Sequence, residues 1–495
     1  MITKTQALAS LQCTRRAWLT VHDPGRATPL TPSRRSLRDA GREIGRLAYA
    51  LFPGAVCVDE PDLGRACART AELLADPAVP AVLEAAVEHG GFVVRADVLE
   101  RLPGGTWGLR EVKSGTRVRD VHLDDLAIQR HVLTAAGLTV ASIELIQLDP
   151  EFRHAAGDDI DRARLFARRD VAAAVEARAA DVVARLAALP AALASAAEPP
   201  IEPAPHCFSP YRCEFWEHCT RAQPDDWILH VRYVAPERWA ELCAAGTTRL
   251  GELTSPANVP PILWRAREAL ARGSAIVSAT LGAALADLGP PADYLDFETI
   301  SPPVPRYPDT TPYQRIPFQW SLHRRDASGA LLHREFLAGG GDDPRRAFAE
   351  SLLVATRDSA HPILVYSEFE SDVLAELALA LPDLAADLEA LRARLRDLLV
   401  VVREHVYDPR FRGSFSLKTV APALVPGFGY DDLAAIHDGV GATVEFARIA
   451  AGACTVDEEA RLRAALRAYC ARDTEALVRV HDALRVLAAS AAPAA

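Results

Sequence analysis

Lysine is nearly absent from this sequence: of 55 basic residues only Lys4, Lys113 and Lys418 are lysines. Positive charge is scarce altogether, since 66 acidic residues leave a formal net charge of −11. That balance argues against a protein that coats nucleic acid over its whole surface, because sequence-independent phosphate binding needs basic surface. It leaves room for a local basic groove. Arg-rich stretches at 34–46 and 392–403 read equally well as solvated helix faces or as phosphate-contacting surface. No apolar run approaches the roughly 18–20 residues that span a bilayer. The opening Met1-Ile2-Thr3-Lys4-Thr5-Gln6 lacks the apolar core of a secretory signal. A cytoplasmic protein with no membrane partner is expected, and in that compartment nine cysteines do not suggest a disulfide framework.

What is present is a chain of 495 residues, too long for one ordinary domain, with 49% apolar residues to fill sizeable cores. Apolar spacing predicts helices over residues 1–50. Strand-like runs at 91–99 and 107–113 flank the turn Pro103-Gly104-Gly105 and read as a hairpin. A helix over 123–136, a strand over 141–148 and a long Ala/Arg helix from Asp159 to Leu189 follow, before Pro-rich 199–205 breaks the pattern. A second α/β segment starts at Tyr294, continues through strands near 318–322 and 363–366, and ends in a helix over 457–487 with a low-complexity tail, 488–495. The expected class is α/β, multidomain, divided into 1–225, a helical connector 226–288, and 289–490.

Asp97 lies on the first strand of the hairpin, Glu111 and Lys113 on the second. Side chains alternate along a strand, so Glu111 and Lys113 share a face, and the hairpin can set Asp97 beside them. Two carboxylates can hold Mg²⁺ or Mn²⁺ while an ammonium stabilises an attacked phosphate or orients water. This is the chemistry of metal-assisted phosphodiester hydrolysis. A surface salt bridge is the plain alternative, since Glu-x-Lys arises by chance in long chains. The hairpin, the scarcity of lysine and Gln129 on the next helix weigh towards a site, and Glu43 could add a carboxylate from an upstream helix. Asp97, Glu111-Val112-Lys113 and Gln129 together resemble the PD-(D/E)xK nuclease core of the RecB type. That resemblance implies Asp97, Glu111 and Glu43 as metal ligands, with Lys113 and Gln129 as catalytic residues. Leu133 stands where the family commonly has tyrosine.

Cys207, Cys213 and Cys219 are evenly spaced among aromatics, and Cys13 lies far upstream. Four thiolates suit a 4Fe–4S cluster or zinc, spacing does not choose between them, and plain packing is the third reading. RecB-type nucleases with an iron–sulfur staple also carry one cysteine before the nuclease core and three after it. The resemblance therefore implies an iron–sulfur cluster that ties the N-terminal helix to the end of the domain. The best-known members use a shorter gap, Cys-x-x-Cys. His218 reads as a bystander, and Cys57, Cys67, Cys243, Cys454 and Cys470 as small buried apolar residues.

Asp296-Phe297-Glu298 puts two carboxylates on one strand face, which is costly unless a cation or solvent compensates. Glu370 follows the run Leu364-Val365-Tyr366-Ser367, and Tyr469 and Asp473, four apart, share a helix face. Asp296, Glu298, Glu370 and Asp473 could hold two metal ions about 4 Å apart, with Tyr469 orienting the attacking water. This half resembles DEDDy-type 3′–5′ exonucleases of the ribonuclease H-like fold, with Asp-x-Glu first and Tyr-x-x-x-Asp last. The middle motif departs: the usual Asn is missing, Ser367 lies nearby, Glu370 is the third acid and Asp372 a weaker candidate. Residues 413–418 are similar to a segment of the same superfamily, so Lys418 reads as a substrate contact or as a helix-surface residue.

Taken whole, the chain resembles a bacterial family catalogued as domain of unknown function 2779, which fuses these two modules. The resemblance implies a metal-dependent nuclease acting on DNA, single strands included, with a role in repair or defence by analogy. RNA trimming by the second module, or a catalytically weak nucleic-acid-binding scaffold, are the rival readings.

Overall fold

The hairpin expected around Pro103-Gly104-Gly105 forms the middle of a seven-stranded sheet. The computed structural model describes residues 1–155, 160–231, 234–257, 259–433 and 436–491, apart from the side chains of 32, 33, 37 and 491. It divides into two units, Met1–Gln223 with Pro302–Gln314 and Pro224–Ser301 with Arg315–Ala495. The stretch expected as a separate connector, 226–288, is thus counted with the second unit.

In the first unit the strands are β1 (Ile2–Thr3), β2 (Val56–Cys57), β3 (Ala81–His89), β4 (Phe92–Leu102), β5 (Thr106–Lys113), β6 (Val140–Leu148) and β7 (Phe166–Asp170). They run in the order β2-β3-β4-β5-β6-β7, with β1 paired to β4. β3, β4 and β5 are antiparallel, β5 and β6 parallel, and β7 an antiparallel edge. Gly104 and Gly105, at φ 75° and 74°, close the hairpin in a conformation other residues rarely adopt. Helices α1 (Lys4–Gln12), α2 (Thr14–His22), α3 (Pro32–Ala48), α4 (Leu63–Ala75) and α5 (Asp120–Ala135) surround the sheet. A parallel pair requires a crossover, and α5 supplies it, burying Leu126, Ile128 and Val132 in one core with Val94, Leu99 and Leu109. A second core joins Ile44 and Ala48 of α3 to Leu83, Val98, Val112 and Ile146.

One strand goes beyond the sequence reading, and one expectation is corrected. β3 reads as Ala-Val-Leu-Glu-Ala-Ala-Val-Glu-His, a composition that favours helix; its burial in the sheet makes it a strand. The start expected for the long Ala/Arg helix, Asp159, lies outside the described residues. Residues 166–170 form β7 instead, and the helix runs Ala172–Ala194. Arg168 holds that edge by reaching across the sheet to Glu144 (2.6 Å) and Glu100 (2.9 Å), pairings that helix-like composition conceals.

The second unit contains a two-stranded ribbon, β8 (Ile276–Val277) with β14 (Val406–Tyr407), and a five-stranded sheet. The sheet comprises β9 (Ala292–Ile300), β10 (Ile316–Arg325), β11 (Leu331–Leu337), β12 (Ile363–Val365) and β13 (Leu395–Asp397), in the order β11-β10-β9-β12-β13. The first three are antiparallel; β12 runs parallel to β9 and to β13. Leu295, Phe297 and Trp320 pack on one face against Phe348, Leu352, Leu374 and Leu377. Against the other face, Tyr294 meets His481 of the final helix, Val456–Ala491, through a 2.9 Å hydrogen bond, and Phe318 stacks on Phe446 at 3.8 Å. That helix runs into the stretch expected as a tail, of which 492–495 lie outside the described residues. Among the described residues no helix is long and apolar enough to cross a membrane.

Asp293, fully buried, receives Arg324 at 2.7 Å and Arg394 at 3.3 Å. Asp293→Ala leaves two arginine heads without their counter-charge and is expected to cost about 3–5 kcal/mol. Urea unfolding measures this, and an unchanged midpoint would remove the pair from the structural account.

Candidate metal centres

One step beyond the Val98–Arg110 pair, the β4–β5 register brings Asp97 level with Glu111. Asp97 Oδ2 accepts the Val112 N–H at 2.7 Å. Lys113 Nζ donates to Glu111 Oε1 (2.6 Å) and Asp125 Oδ2 (2.9 Å). Gln129 Nε2 bridges the same two acids, at 2.7 Å to Glu111 and 2.8 Å to Asp125. Lys4, just inside α1, also reaches both, at 3.2 Å each. Asp97, Glu111, Lys113 and Gln129 are therefore brought together, joined by Asp125 and Lys4, which sequence reasoning missed. Asp125 had a usable signal, since it stands one helical turn before Gln129; Lys4 had only its rarity.

Burial, then the charge of Glu111, pushes the Asp97 carboxyl up to about 7, although Lys4 and Lys113 pull the other way. For Asp125 burial acts in the same direction, but the two ammonium groups prevail and hold it below the usual carboxylate range. Burial disfavours charge on Lys4 and Lys113 too, yet Glu111, Asp125 and Asp97 keep both firmly protonated.

Glu43 does not join this cluster: it is exposed on α3. A cavity beside Asp97 and Lys113 instead receives Gly41, Gly45 and Tyr49 from that side, and Glu84 from β3. Between the Leu83–Val98 and Ala85–Ala96 pairs, Glu84 falls opposite Asp97. Its φ of 55° is left-handed, and its carboxylate accepts the Tyr49 hydroxyl. Such strain in a non-glycine residue collects at functional sites, and no sequence pattern announces it.

In the second unit, Asp296 and Glu298 of β9 and Asp473 of the final helix each offer a ligand oxygen within 4.8 Å of the others. Glu370 is outside that trio but close to it. Its side chain is buried, its Oε2 has no hydrogen-bond partner, and its charge is felt by both Asp296 and Glu298. Burial and then Asp473 push Asp296 and Glu298 well above the usual range. Burial and Asp397 push Glu370 up to about 8, against backbone hydrogen bonds that lower it. Asp372 is not part of the group; it is exposed and faces Arg315 at 3.5 Å. Ser367 accepts the Phe369 N–H at the start of its helix.

Tyr469 stands beside this group and accepts a hydrogen bond from Lys418, whose ammonium lies 4.5 Å from its ring centre. Tyr430, missed in the sequence, donates to Asp473 Oδ1 at 2.7 Å. Cys470 lies 3.3 Å from Asp296 Oδ2, so it is a hydrogen-bond donor to the acids as well as a buried apolar residue. Every lysine of the chain is thus committed to one of the two carboxylate clusters.

Cys13, Cys207, Cys213 and Cys219 line one pocket with Arg15 and Arg16. Cys13 is the extended residue between α1 and α2, and Gln12 beside it ties the segment down by donating to the carbonyls of His206 (2.9 Å) and Tyr211 (2.8 Å). Burial pushes the thiols of Cys207, Cys213 and Cys219 up to about 11. Among the described residues no three of these sulfurs lie within 4.8 Å of one another. Four thiols gathered at one pocket are a donor set that suits either a 4Fe–4S cluster or zinc. His218 turns to Glu198 at 3.4 Å. Cys57 and Cys243 are exposed, contrary to their reading as buried apolar residues.

A family model described as domain of unknown function (DUF2779) matches residues 293–416, the stretch that holds Asp296, Glu298 and Glu370. Neither the curated proteins nor the solved structures yielded a match.

Carboxyls raised in the folded state carry protons that the unfolded chain has released. Their contribution to stability is complete at low pH and is lost as pH rises through the folded values, about 7 for Asp97 and about 8 for Glu370. The Tm of metal-free protein is therefore expected to fall between pH 6 and 8.5, and added Mn²⁺ to reverse the trend, because ions bind deprotonated ligands. Asp296→Asn relieves the repulsion and should stabilise the metal-free protein at pH 8 by about 1–2 kcal/mol while shrinking the Mn²⁺ response. A metal-free Tm that climbs across this window would contradict the buried like-charge clusters.

Proposed function

We propose that the chain is a cytoplasmic metal-dependent nuclease with two hydrolytic centres, one in each unit, acting on phosphodiester bonds of DNA. The observation that carries this reading is the trio Asp296, Glu298 and Asp473 with the unpartnered Glu370 oxygen beside it. Buried carboxylates facing one another are tolerated where a cation joins them. The strand order β11-β10-β9-β12-β13, antiparallel and then parallel, supports a ribonuclease H-like fold with DEDDy-type acids on β9 and the last helix. The succession β3-β4-β5-α5-β6, with Asp97, Glu111, Lys113 and Gln129 on it, supports a PD-(D/E)xK core.

Asp296, Glu298, Glu370 and Asp473 would hold Mg²⁺ or Mn²⁺ in the second centre, and Asp97 and Glu111 in the first. The ion supplies activation of water and neutralisation of charge on the attacked phosphate. The remaining work belongs to side chains. Tyr469 holds the attacking water, and Lys418 fixes the tyrosine oxygen and adds positive charge at the edge of the acids. In the first centre Lys113 faces the phosphate, while Lys4 and Gln129 keep Glu111 and Asp125 in place. Cys13, Cys207, Cys213 and Cys219 would bind an iron–sulfur cluster with a structural role, joining α1 and α2 to the cysteine segment.

Incubation with labelled single-stranded DNA, duplex DNA and RNA, in Mn²⁺ or EDTA, tests the reading. Asp97→Ala and Asp296→Ala are each expected to reduce one of the Mn²⁺-dependent activities by at least about 100-fold while the other persists; wild-type cutting of every substrate in both variants sinks both centres. Protein purified without oxygen should be brown and bleach in Cys13→Ser, whereas colourless protein with stoichiometric zinc would refute the cluster.

A further inference from the structure

The cavity beside Asp97 and Lys113 has a volume of about 760 Å³. Its wall carries five basic side chains, Arg38, Arg42, Arg46, Arg95 and Lys113, against three acidic ones, Asp59, Glu84 and Asp97. That surplus is local, since the chain as a whole has a net charge of −11. Arg38, Arg42 and Arg46 recur every four residues on α3 and so form one stripe along the wall. Arg42 also meets Asp39 at 3.2 Å, but both are more than 60% exposed, and a pair so open to solvent holds an arginine only weakly.

The second observation is independent of charge. Gly41 and Gly45, one turn apart, line the same wall between the arginines. Glycine within a helix costs about 0.5–1 kcal/mol relative to alanine, a cost usually offset where another group packs close. A Cβ on Gly41 would make ordinary contact with Ser114 Oγ at 3.7 Å, and on Gly45 it would meet nothing within 4 Å. Packing inside the chain explains neither glycine. Bare helix backbone facing open space between arginines is what a close-fitting polyanion requires.

We infer that α3 is the track for a single nucleic-acid strand at the first centre, with phosphates on Arg38, Arg42 and Arg46 and the strand's backbone lying over Gly41 and Gly45. This assignment rests on the nuclease reading of that centre and adds the residues that hold the strand. From Arg38 to Arg46 the helix rises about 12 Å, room for one phosphate at each arginine. Over those roughly 12 Å a rod only as wide as the duplex major groove, about 12 Å, would fill roughly 1,400 Å³, more than the cavity's 760 Å³, so the space suits one strand rather than two.

Fluorescence anisotropy in EDTA, with a labelled oligonucleotide as a single strand and as a duplex, reads binding without cutting. The single strand is expected to bind more tightly. Replacing all three arginines by alanine should weaken it by at least about tenfold and flatten the slope of log K against log salt by about 2, near 0.7 per phosphate contact. Gly45→Leu is the sharper variant: leucine is the better helix former, so the Tm should hold or rise while single-strand binding falls. Wild-type affinity in Gly45→Leu, an unchanged salt slope in the triple variant, or preference for the duplex would each overturn the track. If these variants lose binding but wild-type protein never cuts in Mn²⁺, the track stands and the nuclease reading fails. If Asp97→Ala removes one Mn²⁺-dependent activity while the arginine and Gly45 variants bind as wild type, the reverse holds.

Discussion

Asp296, Glu298 and Asp473 are packed where little water separates their charges; burial holds all three carboxyls above their usual range, and repulsion from neighbouring acids adds to it at Asp296 and Glu298. Much of the second unit can be understood as the support this requires. β9 carries Leu295 and Phe297 into a dense apolar layer on one face, which leaves Asp296 and Glu298 a firm backing on the other. The final helix must reach across that face to bring Asp473 in, and Tyr294 with His481 and Gln319 with the Leu466 carbonyl fasten it there. Tyr430 and Cys470 orient individual oxygens but cannot discharge the cluster.

The first unit answers the same repulsion differently. Glu111 and Asp125 share Lys4 and Lys113 between them, and Gln129 donates to both, so the acids nearest α5 are largely satisfied by the chain. Asp97 stands apart, raised to about 7 and open to the Arg-lined cavity. In the second unit Lys418 donates to Tyr469 rather than to an acid, and its charge lowers Glu298 and Asp473 without outweighing their burial. On the proposed reading, this contrast would make the second centre the more dependent on added cations and the first the better prepared for an anionic strand.

Much of this was legible in short stretches of sequence, because the relations concerned lie within one element. Glu111 with Lys113, Asp296 with Glu298, and Tyr469 with Asp473 share faces through strand alternation or helical pitch, and the structure places each pair as those periods require. Conversely, β3 and β7 were obscured because alanine and arginine favour helices in isolation, and only pairing with neighbouring strands selects the extended form.

What only the tertiary structure decided is which distant residues converge. Lys4 meets Glu111 because α1 docks on α5, and Tyr430 meets Asp473 across some forty residues of chain; no local period encodes either contact. Glu43 and Glu84 show the difference most clearly. Ile44 and Ala48 bury themselves in the core beneath α3, and that choice of buried face turns neighbouring Glu43 to solvent and Gly41, Arg42 and Gly45 to the cavity. Glu84 enters from a strand that sequence alone does not reveal. The sequence determined the chemistry each element could offer, and the burial of apolar faces, acting over the whole fold, decided which of those offers meet.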